Sequence, residues 1–146
     1  MISIGSDELR RIQYFIFAVQ RLNGMADVIA TWMAHGTMTA WDGTPARFAD
    51  CEAAAIGYFD ARPGQEGLRR DHLAALQAAQ QIDQALAAFL AGGAQGDLDA
   101  LLEQASAALN QFACVIDRLP DYPCAEMDAP AFRTEARHCL SLRQAA

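Results

Sequence analysis

Three histidines, His35, His72 and His138, and four cysteines, Cys51, Cys114, Cys124 and Cys139, are the side chains here best suited to hold a metal or act as nucleophiles. A local metal half-site needs two such residues at i, i+4 on a helix or as C-x-x-C. No pair has either spacing, and the adjacent His138 and Cys139 point in different directions on a helix. A zinc site using Cys51 or His72 would therefore have to be assembled wholly through tertiary contacts. The simpler expectation is that Cys51 and Cys139 are buried as small apolar groups, and no metal or other cofactor is expected.

Cys114 stands apart from the other thiols. It falls opposite the apolar stripe of its segment, among Asn110, Gln111, Asp117 and Arg118. Cysteine is seldom left exposed, so a second packing surface is the expected environment. The sharper alternative is a redox-sensing thiol, for which only Arg118, one turn away, could lower the pKa.

Covalent and acid–base catalysis find little support. Ser3, Ser6, Ser106 and Ser141 lack a G-x-S-x-G context. All 11 basic residues are Arg, so no lysine can form a Schiff base; such a composition suggests a GC-rich bacterial genome. The turn 92–96 is glycine-rich, but no strand precedes it and no Lys follows, so it is not read as a phosphate loop.

Two apolar groupings are candidates for binding. Trp32, Met33, Met38 and Trp41 bracket the His35-Gly36 turn and could line a ligand pocket; the default is that they cap one end of the core. Tyr14, Phe15, Ile16 and Phe17 are consecutive and cover most of a helix circumference at 100° per residue. One core cannot bury all four directions. Tyr14, Phe15 and Phe17 are thus candidates for an interface with a second subunit, unless the last helix covers them.

Five helices must position these residues. The first runs over about 7–34, with Ser6 as N-cap and a possible break at Asn23-Gly24. Thr44-Pro45 opens the second, and Arg62-Pro63-Gly64 ends it. The third spans about 66–91, with Leu68, His72, Leu76, Ala79, Ile82, Leu86 and Leu90 on one face. In the fourth, Leu98, Leu101, Leu102, Ala105, Leu109, Phe112, Ile116 and Leu119 recur at three- and four-residue steps between Gly96 and Pro120. Asp128 caps a short fifth helix to about residue 143, with Phe132, Ala136, Cys139 and Leu140 inward. The fold expected is all-α: a four-helix up-down bundle with an additional short C-terminal helix across it, as one domain over 1–146.

The order of a Trp32 helix, a Cys51–Tyr58-Phe59 helix and two long helices loosely resembles the zinc-binding four-helix domains appended to bacterial chemoreceptors. That family's metal site is not implied here. Ile29 stands where the first-helix histidine would fall, 76–86 contains no histidine, and the Cys51 neighbourhood lacks the family's Gly-Trp pattern.

Composition narrows the classes further. The chain has 146 residues, is 53% hydrophobic and carries a formal net charge of −7. This is enough apolar material for a core and too much for a disordered chain. The negative charge disfavours nucleic acid and anionic membrane as partners. No run approaches a membrane span, and no basic leader precedes the short apolar run 14–19, so a cytoplasmic location is expected. The expected function is a non-enzymatic protein–protein interaction role: an adaptor, a chaperone, an immunity-type protein or a regulator acting as a homodimer. The alternative is a sensory or ligand-binding bundle.

Overall fold

The computed structural model describes residues 6–37, 48–92 and 97–143. Five helices account for most of them: α1 (Ser6–His35), α2 (Phe48–Asp60), α3 (Glu66–Leu90), α4 (Leu98–Arg118) and α5 (Ala125–Ser141). No strand occurs among the described residues, so the all-helical expectation holds. The Thr44-Pro45 start expected for α2 lies outside the described residues.

Each helix packs on the next in sequence, and α1 also reaches α3, α4 and α5. The α4–α5 contact is the most extensive. Its cause is side-chain size. The buried face of α5 is Ala129, Phe132, Ala136 and Cys139, at steps of three and four. α4 supplies Ala105, Ala108 and Ala113 among its buried residues. Small side chains let the two backbones approach, while Phe112 and Phe132 stack at 6.2 Å to fill the remaining space. One apolar cluster draws on all five helices.

The helix ends follow their sequences in part. Gly36 adopts φ 74° and its N–H donates to Trp32 O at 2.8 Å, the left-handed stop that glycine permits. The Asp97 carboxylate accepts from the Asp99 N–H at 3.0 Å and caps α4. α5 departs from expectation: Cys124, at φ 67°, rather than Asp128, precedes its first turn. The Cys124 carbonyl accepts from Met127 and Asp128 N–H, which draws Asp128 inside the helix.

Other expectations are corrected by the packing. α1 is unbroken at Asn23-Gly24, where the Asn23 amide donates to Asp83 on α3 at 2.8 Å. The buried line of α1 begins at Phe15, two turns into the helix, and Leu9 before it is exposed. Leu90 and Leu140 are exposed rather than inward: Leu90 is the last residue of α3, and Leu140 faces away from the core between the buried Cys139 and Leu142. Leu98 and Leu101 are half-buried, whereas Leu102, Leu109, Phe112 and Ile116 are fully enclosed.

Candidate functional site: the α1–α5 face and the aromatic end

Tyr14, Phe15 and Phe17 separate into three environments. Phe15 has no exposed surface and belongs to the core, so it is not available as a surface contact. Tyr14 is half-buried under α5: its hydroxyl donates to Glu135 O at 3.5 Å and its ring lies 4.2 Å from that of His138. Burial first, then the proximity of Cys139 and Glu135, push the phenol up to about 12. Phe17 is 49% exposed with its ring 5.7 Å from Tyr14. Helical geometry sends each in a different direction, and only Phe17 faces outward.

Two turns along, the same seam turns polar. Arg21 Nε lies 3.3 Å from Glu135 Oε1, and the guanidinium sits 5.3 Å above the Phe132 ring. Arg21 Nε and Glu135 Oε2 are buried without a hydrogen bond, and the buried Tyr122 hydroxyl lies beside Asp128. Burial raises the Glu135 pKa against the pull of Arg21. Burial, and next to it Asp128, raises that of Tyr122. The sequence gives no sign of this grouping, because its members come from a helix face, a turn and a second helix far apart in the chain.

The Trp32 end is packed. Trp32 and Met33 are each only 9% exposed. The Trp32 ring lies 5.3 Å from both Tyr58 and Tyr122, and Tyr58 meets Phe59 edge-on at 4.9 Å. Arg62 closes the cluster from outside, with its guanidinium 3.6 Å over the Tyr58 ring and Nη1 donating to Tyr58 O. Met38 and Trp41, the other two candidates for a pocket here, lie outside the described residues.

The thiols divide by exposure. Cys51 is buried and donates to Ala26 O on α1 at 3.6 Å; Cys139 is fully buried on α5 near Tyr14 of α1. Burial pushes both up to about 12, keeping them protonated and unreactive. Cys114 is exposed, contrary to the second packing surface expected, because α5 covers the neighbouring face of α4 and leaves this one open. Arg118, expected to activate it, is turned instead to Asp71 on α3. Arg133 of α5 comes near Cys114 while paired with Asp117. Cys124 is also exposed.

His72 is 1% exposed, with the rings of Phe59 and Phe112 at 6.3 and 6.0 Å and no hydrogen-bond partner for Nδ1. His35 and His138 are exposed. Among the described residues no group of three or more His, Cys, Asp or Glu is placed to hold a metal ion. An open groove of about 660 Å³ runs between α2 and α3, floored by Phe48, Leu73 and Leu76 and edged by Glu52, Arg69 and Arg70. No described helix is long and apolar enough to cross a membrane.

No known protein family, no curated protein and no solved structure matches this chain.

Proposed function

We propose that this chain is a non-enzymatic interaction protein that self-associates through the outer face of α1. The supporting observation is Phe17, a large aromatic side chain left half-exposed on the helix that contacts every other helix. Contiguous exposed apolar surface marks interfaces, here Phe17 beside the half-buried Tyr14 ring at 5.7 Å, and a two-fold homodimer is their commonest form. The helix contacts fit an up-down bundle of α1 to α4 with α5 laid on α4 and α1. The net charge of −7 fits a protein partner better than nucleic acid or an anionic membrane.

Sedimentation equilibrium at micromolar concentration tests the reading. A dimer is expected for the parent chain, with Phe17→Arg shifting it to monomer. A strictly monomeric parent chain would remove the dimer.

One observation favours a second reading, a ligand-binding bundle. The α2–α3 groove joins an apolar floor to two arginines and suits a small molecule with an apolar body and an anionic group. Saturable shifts in the amide resonances of Leu73 and Leu76 with such a compound would favour it.

A further inference from the structure

His72 is where α2, α3 and α4 meet. It is the one histidine in the core, and the Phe59 and Phe112 rings flank it from the other two helices. A neutral imidazole fits this apolar site, at the cost of an unpaired Nδ1. An imidazolium does not, since both nitrogens then carry protons and the charge has no counter-ion.

The charges on the surrounding elements are committed elsewhere. On α2, Asp60 is exposed and held by Arg69 at 2.8 Å. On α3, Asp71 is held by Arg118 of α4. On α4, Asp117 is held by Arg133 of α5. On α1, Arg21 is held by Glu135 of α5. Burial is the only cause acting on the titration of the ring.

We propose that His72 is an acid-sensitive latch: protonation of its imidazole separates α2 and α3 from α4 and exposes Phe59 and Phe112. The step is a proton transfer from solvent to the imidazole, with no other bond made or broken. The sense of the dependence follows from burial. The imidazole is pushed down to about 4 in the folded chain, against 6.5 when solvated. Above about pH 6.5 neither state binds the proton, and the full stability is present. Between 6.5 and 4 the unfolded chain takes the proton and the folded one resists it, so stability is lost as pH falls. The gap of pKa corresponds to about a 160-fold loss in the folding equilibrium constant by pH 4, approaching about 300-fold below it.

The test compares the parent chain with His72→Met, which fills a similar volume and cannot titrate. Urea unfolding is followed by near-ultraviolet circular dichroism from pH 7 to 4, with binding of an apolar dye as a second readout. The parent chain is expected to lose at least 30-fold more in folding equilibrium constant than the variant over this range, and to bind dye where the variant does not. Parallel pH profiles would overturn the latch and assign acid sensitivity to other groups. If His72→Met does not fold at pH 7, the His72 ring proton resonance in the parent chain decides alone. No titration above pH 5 while the chain is folded is expected; titration near 6.5 in the folded chain would overturn the proposal.

Discussion

α5 rests on two neighbours by different means. Against α4 it presents Ala129, Phe132, Ala136 and Cys139, and the seam is dry, close and stacked. Against α1 it presents Glu135 and His138 to Arg21 and Tyr14, leaving buried polar atoms unpaired. One helix can therefore be anchored on one side and merely attached on the other. Apolar packing scales with enclosed area and tolerates no gap. A partly buried ion pair gives back in desolvation and side-chain entropy most of what it gains.

The largest expected effect is on the dry side. Phe112 is fully enclosed between His72 and Phe132, and Phe112→Ala should cost about 3–5 kcal/mol in urea unfolding. A loss below about 1 kcal/mol would mean that the seam collapses around the gap and is not the anchor. On the polar side, Glu135→Gln should change stability by about 1 kcal/mol or less. A loss as large as that of Phe112→Ala would erase the distinction between the two seams. The smallest effect is a gain away from both. Gly24 lies in the middle of α1 with open space where a Cβ would stand, so Gly24→Ala should stabilise by about 0.5–1 kcal/mol through backbone entropy. Destabilisation there would show that α1 needs local freedom at this turn.

The dry seam was the legible one. Leu102, Ala105, Leu109, Phe112 and Ile116 announce their face because helical periodicity is a local property of the chain. The outward direction of Phe17 and the enclosure of Phe15 were not separable beforehand, since four consecutive apolar residues satisfy several faces equally. Cys114 escaped for a related reason: whether a flank of α4 is covered depends on where α5 lies, and that depends on how closely alanines allow it to approach. The Arg21–Glu135–Tyr122 grouping had no local signal at all. His72 was placed on the inward face of its helix, but its lack of a partner depends on what α2 and α4 bring to it. The cap of α5 moved because the turn before it set Cys124 in a left-handed conformation that sequence preference would assign to glycine or asparagine.

The sequence separation of the α1–α5 contact has a consequence in time. Contacts between successive helices close short loops and form early, as in helical proteins that fold in microseconds to milliseconds. The Tyr14 hydroxyl meets a carbonyl 121 residues further on. During synthesis at roughly 5–20 residues per second, Tyr14 waits on the order of ten seconds for its cover to be made. For that interval the nascent chain presents Tyr14 together with Phe17, and a second nascent chain beside it would meet a wider apolar surface than the finished protein offers.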